Sequence, residues 1–128
     1  MSKNDATTQV NEVNRISSGT EFHGTINSLS DIRIDGLYEG KLTTTGRLVI
    51  GESARFVGEV IAKSCDIWGD MDGKILVKEG FGLRKSGVIK GRIACQKIFI
   101  EEGGVFNGTC KMITEDEFEE NLKTQQNT

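Results

Sequence analysis

Between residues 19 and 113 the chain alternates apolar and polar residues in short bursts, and the bursts recur. Six segments, FHGTI, YEGKL, FVGEV, MDGKI, IKGRI and FNGTC, each centre on a glycine. These glycines are Gly24, Gly40, Gly58, Gly73, Gly91 and Gly108, spaced by 16, 18, 15, 18 and 17 residues. Two positions before them stand Phe22, Tyr38, Phe56, Met71, Ile89 and Phe106. Two positions after them stand Ile26, Leu42, Val60, Ile75, Ile93 and Cys110. A second alternating pair follows in the first five repeats: Ile32 and Ile34, Leu48 and Ile50, Cys65 and Ile67, Phe81 and Leu83, Ile98 and Ile100.

A period of two within each burst predicts strand, because successive side chains of a strand point to opposite faces. Repeats of 15 to 18 residues are too short for βαβ units, whose crossovers need a helix. They also lack the two-residue loops of a hairpin meander. A solenoid satisfies the pattern: each repeat makes one coil, and equivalent residues stack with parallel pairing from coil to coil. About six coils at roughly 4.8 Å each give a rod on the order of 25–30 Å long. The predicted fold class is therefore all-β, a single-domain parallel β-helix over residues 19–113. The column four residues after each glycine (Ser28, Thr44, Ala62, Val77, Cys95, Met112) is mostly small and fits a narrow interior. Lys41, Glu59 and Lys74 share an outward column with alternating sign, which favours this register.

Composition supports a thin core, with 36% hydrophobic and 6% aromatic residues. The complete absence of proline leaves every backbone N–H free to pair with the next coil. Residues 1–18 and 114–128 lack the alternation and are expected to be polar, disordered tails, the second strongly acidic. Phe118 and Leu122 have helical i, i+4 spacing within that acidic tail, but a solvated segment is the expectation. No apolar run approaches the roughly 18–20 residues that span a bilayer. MSKNDATTQV shows no signal-peptide pattern, so a cytoplasmic protein is expected. Three cysteines without a CxxC spacing suit a reducing compartment. Cys65, Cys95 and Cys110 align with interior columns and are expected to act as small core residues.

Candidate chemistry is sparse. The single histidine, His23, has no assignable nucleophile or orienting carboxylate and is read as a surface residue. No catalytic residues, no metal and no cofactor are expected, since the glycines match no phosphate-binding motif. Arg84, Lys85, Lys90, Arg92 and Lys97 make the fourth and fifth repeats locally basic. With few aromatics interleaved and a net charge of −3, they read as solvated strand faces and not as a nucleic-acid footprint. Val49, Phe99 and Trp68 are large residues at outward phase and form a candidate partner surface.

A parallel solenoid has two open ends, each a row of unpaired backbone groups over core side chains. Phe22 and Phe106 lie in the interior column of the terminal repeats, and no capping element is evident. With Val105 beside Phe106, these residues form the candidate self-association contact, end to end. The repeated coils DGLYEGKL, KSGVIKGRI and EEGGVFNGT, set in a short core between polar tails, resemble bactofilins, bacterial polymer-forming cytoskeletal proteins. The resemblance covers roughly residues 18–113. It implies a right-handed parallel β-helix and nucleotide-independent polymerisation into apolar filaments, joined head-to-head and tail-to-tail. It further implies roles in cell shape or appendage formation and recruitment of cell-wall enzymes or other envelope proteins. Phe106 matches a phenylalanine that matters for polymerisation in the family. The N-terminus lacks the family's short hydrophobic and basic start, so direct membrane binding is not expected. Two other readings are a non-polymerising adaptor that displays Trp68 and Phe99, and an acyltransferase of the hexapeptide-repeat kind. The irregular period and the placement of His23 argue against the latter.

Overall fold

The computed structural model describes residues 13–126, and the chain there winds as a parallel β-helix of about six coils. Strands β1 (Val13–Ile16) and β2 (Glu21–Ser28) form the first coil, and β3 (Asp31–Ile34) and β4 (Leu37–Thr44) the second. The third holds β5 (Arg47–Ile50) and β6 (Arg55–Ala62), the fourth β7 (Ser64–Ile67) and β8 (Asp70–Val77). The fifth holds β9 (Gly80–Leu83) and β10 (Val88–Cys95), the sixth β11 (Lys97–Ile100) and β12 (Val105–Met112). The four-residue strands stack in the order β1-β3-β5-β7-β9-β11, and the eight-residue strands as β2-β4-β6-β8-β10-β12. Helix α1 (Glu115–Gln126) follows the last coil.

The register is the one the glycines predict: Gly24, Gly40, Gly58, Gly73, Gly91 and Gly108 lie opposite one another through five successive strand pairs. Their irregular spacing is absorbed in the connections, those after the long strands being one residue (63 and 96) or two, and those after the short strands varying more. The connections after the short strands are two residues long at 35–36 and 68–69, and four residues long at 17–20, 51–54, 84–87 and 101–104. Each four-residue connection closes a turn, as in Ala54 N–H to the Gly51 carbonyl at 3.0 Å and Gly87 N–H to the Arg84 carbonyl at 2.9 Å.

Each of these glycines bends its long strand at mid-length. Gly58 has φ +141°, where L-residues are strained, and a Cβ there would overlap the Gly40 carbonyl oxygen. The bend turns the residues two before and two after the glycine into one interior. Tyr38, Leu42, Phe56, Val60, Met71, Ile75, Ile89 and Ile93 are accordingly buried, joined by Ile32, Ile34, Leu48, Ile50, Ile67, Phe81 and Leu83 from the short strands. Phe22, Tyr38 and Phe56 stack with ring centroids 5.0 and 4.6 Å apart, an arrangement worth about 0.5–1.5 kcal/mol per pair beyond burial. The buried Tyr38 hydroxyl donates to the Lys41 carbonyl at 2.6 Å, and the buried Thr44 hydroxyl donates to the Ser30 carbonyl at 2.6 Å. Both polar groups are thereby satisfied.

Two segments assigned to the tails form regular structure. Val13–Ile16 is strand β1, in register with β3, so the coil begins before residue 19. It escaped the repeat pattern because Asn14, not an apolar residue, stands opposite Ile32; its amide donates to the Ser28 hydroxyl at 3.1 Å. The acidic segment is helix α1, not a solvated tail. Thr114 and Glu117 cap it reciprocally: Glu117 N–H donates to Thr114 Oγ1 at 3.1 Å, and Thr114 N–H to Glu117 Oε1 at 3.0 Å. Residues 1–12 of the expected N-terminal tail lie outside the described residues.

The glycine column separates structural from permissive positions. Gly58→Ala should cost at least about 2 kcal/mol, from strained φ and the steric overlap together. At Gly80 a Cβ meets nothing within 4 Å and φ lies outside the left-handed region, so Gly80→Ala should stay within about 0.5 kcal/mol of the parent. Denaturant midpoints of the two variants measure the difference, and equal midpoints would remove the glycine column from its structural role.

Candidate functional site

Among the described residues, the terminal coils have a neighbouring coil on one side only. At the N-terminal end, Ile16, Phe22 and Ile26 hold interior columns yet are only half-buried. At the C-terminal end, Ile98 and Phe106 are half-buried, and Ile100 (47% exposed), Met112 (53% exposed) and Cys110 open to solvent. Val105 lies in the outward column with Val88, on the rim beside Phe106. The outer edges of β1, β2, β11 and β12 meet no further strand among the described residues. Each end is thus a sheet edge over a cross-section of the core, the combination that promotes edge-to-edge pairing.

Helix α1 does not cover either edge. Its Phe118 is buried against Ile61 and Leu76 on the outer faces of β6 and β8, with Ile113 beneath and Ala94 and Leu122 alongside. Ile61, Leu76 and Ala94 occupy one outward column on successive coils, in register with Thr43 and Lys111. These outward apolar residues were the signal for a docked helix, because Phe118 and Leu122 supply the complementary i, i+4 pair.

Cys110 aligns with Ile93 as the repeat requires, but it is exposed, correcting its expected core placement. The reason is its coil: no seventh coil covers the sixth. Cys65 and Cys95 are buried. Burial pushes the Cys65 thiol up, and burial together with the neighbouring Cys110 pushes Cys95 up to about 12. Neither is a thiolate at neutral pH.

His23 is exposed, with Nδ1 2.8 Å from Glu39 and Nε2 3.6 Å from Glu21. Carboxylate partners therefore exist where the sequence assigned none, and β2–β4 pairing sets Glu39 opposite His23. Among the described residues no group of three or more His, Cys, Asp or Glu is placed to hold a metal ion.

On the short-strand face, Trp68 and Phe99 are brought together by Arg84, whose guanidinium lies 5.7 and 5.4 Å from the two ring centres. Arg84 is fixed by Asp66, a buried carboxylate that accepts at 2.8 and 3.2 Å from it and also pairs with Arg47. Val49 shares a column with Asp66, Gly82 and Phe99 but stands apart, bordering a separate hollow with Arg15, Arg33 and Arg47. The basic residues of the fourth and fifth repeats likewise divide. Arg84 and Lys97 border the short-strand face, whereas Lys90 and Arg92 flank Gly91 on β10.

The family model for Bactofilin, described as polymer-forming cytoskeletal, matches residues 14–111, most of the solenoid from β1 to β12. No curated protein and no solved structure matches the chain. No helix among the described residues is long and apolar enough to cross a membrane.

The α1 contact is testable alone. A 12-residue helix is marginal in water without tertiary packing, so Phe118→Asp should unravel it. Circular dichroism should lose the helical contribution and keep the β signal and the cooperative unfolding of the coils. An unchanged helical signal would show that α1 does not depend on the Ile61–Leu76 face.

Proposed function

The chain belongs to the bactofilin family of polymer-forming cytoskeletal proteins, and from that premise we propose that it self-assembles end to end into filaments. The observation that carries this reading is the truncation of the core at both ends. Interior columns that are fully buried at Tyr38 and Ile89 emerge half-buried at Phe22 and Phe106, beneath unpaired strand edges. Joining like end to like end buries both sets and pairs both edges, with no nucleotide in the contact. Such contacts are self-complementary, and a protein with one at each end builds an open, apolar filament, since nothing closes a ring.

In this reading the protein acts as a scaffold and not as a catalyst. The filament lies in the cytoplasm and organises cell shape or envelope machinery, with cell-wall enzymes or other envelope proteins as recruited partners. Membrane association comes through those partners and not through a segment of the described residues.

Phe106→Arg places an unpaired charge in the tail-to-tail contact, at a cost of about 3–5 kcal/mol. The variant should sediment as a small folded species, and electron microscopy should show no filaments without nucleotide, where the parent forms them. Persisting filaments would disprove the C-terminal contact. Thiol labelling gives an independent readout, because Cys110 alone of the three cysteines is exposed. A maleimide should modify one thiol in dispersed Phe106→Arg protein and be excluded from Cys110 in parent filaments.

A further inference from the structure

One row of the short-strand face is missing its side chains. The two outward positions carry Arg47 and Val49 on β5, Ser64 and Asp66 on β7, and Lys97 and Phe99 on β11, but Gly80 and Gly82 on β9. The gap is a trough of about 590 Å³, bordered by Arg47, Asp66, Arg84, Lys97 and Phe99, within the range of ligand-binding clefts.

The two glycines have different grounds. A Cβ at Gly82 would lie 2.6 Å from Asp66 Oδ1, so glycine there lets the carboxylate reach across to Arg84. Gly80 has no such requirement: a Cβ meets nothing within 4 Å, and no left-handed φ is needed. Glycine in a strand ordinarily weakens it and often marks a bulge, a bend or the close approach of a ligand or another backbone; at Gly80, the first residue of β9, open space lies where a side chain would stand. The fold leaves this space unused.

The charges around the trough are unbalanced. Three cations, Arg47, Arg84 and Lys97, face one carboxylate, and both oxygens of buried Asp66 are already engaged by the two arginines. Lys97 forms no ion pair among the described residues. Arg84 is clamped by Asp66 and held between Trp68 and Phe99, so the site is ordered before any ligand arrives. Clustered Trp and Arg on a rigid sheet have the composition of interface hot spots. Asp31 on β3, Asp35 just after that strand and a chain charge of −3 disfavour a long polyanion.

We infer that this trough docks a short acidic peptide segment of a partner protein, with an apolar side chain seated over Gly80 against Phe99 and flanking carboxylates on Lys97 and Arg47. Docking at this face does not depend on end-to-end assembly, so it is measured both on the parent and on the dispersed Phe106→Arg chain. The probe is a fluorescein-labelled peptide of alternating glutamate and phenylalanine, followed by fluorescence anisotropy. Binding should be saturable in both proteins and weaken with salt. It should fall at least tenfold in Gly80→Glu, which fills the trough with a negative charge where the backbone has room, and in Lys97→Glu. The denaturant midpoints of both variants should match the parent's, separating lost binding from lost folding. Equal binding by Gly80→Glu overturns the proposal, as does the absence of saturable binding to the parent. Sedimentation of the parent with phosphatidylglycerol vesicles, without peptide binding, overturns it too, because the cations would then serve a lipid surface.

Discussion

In-register stacking of one coil on the next is the constraint from which the other features of this protein follow. Parallel strands pair only if each coil returns to the same lateral position, and the glycine column enforces that return at the tightest point of the path. There the chain bends with φ near +140° and the carbonyl of one glycine lies where the next glycine would carry its Cβ. No other residue type meets both demands. Once the glycines are in register, the residues two before and two after them are fixed inward, and the core follows as ladders of Ile, Val, Leu and aromatic side chains. Length differences between repeats are displaced into connections of one, two or four residues, outside the strands that carry the core.

The same constraint makes the ends. A ladder has no internal means of closing, so its terminal rungs expose whatever the column demands. Phe22 and Phe106 continue the column of Tyr38, Phe56, Met71 and Ile89, and they are half-exposed because no further coil among the described residues covers them. Cys110 illustrates the point: the residue is inward by register and exposed by position. Self-assembly needs no separately evolved patch in such a molecule, since the surface offered at each end is the core itself. The family's polymer-forming character is in keeping with ends that, among the described residues, carry no cap.

The interior was legible in the sequence because every coil repeats the same instruction, and six repetitions outweigh local exceptions. The elements that escaped are those stated only once. β1 carries Asn14 where an apolar residue was the cue, and a neighbouring hydroxyl satisfies it. Helix α1 reads as an acidic tail until Phe118 and Leu122 are matched with Ile61, Leu76 and Ala94, which alternation alone places on the outside. A helix-period pair and a strand-period stripe must be recognised as complementary, and neither is notable by itself. Trp68 and Phe99 were visible as exposed apolar residues, but their union through Arg84 and Asp66 depends on coil-to-coil stacking across 18 residues of sequence.

Because the inward columns and the glycines are committed to stacking, variation that adds function is confined to the outward columns and the turns. The outward columns of this chain depart from simple solvation in two places, and each departure is a relation between neighbouring coils. On the long-strand face an apolar stripe is answered by the chain's own helix, whose burial of Phe118 uses that surface up. On the short-strand face Gly80 and Gly82, at the two outward positions of β9, open a trough among three cations, and no segment of the described residues fills it. A filament would repeat both faces at the spacing of its subunits. A weak contact made on one subunit then becomes a multivalent one along the polymer, provided the partner is itself linked or clustered. End-to-end growth and face-by-face docking are therefore complementary uses of one ladder: the first engages the open edges and inward columns of the terminal coils, the second the outward side chains of the short-strand face.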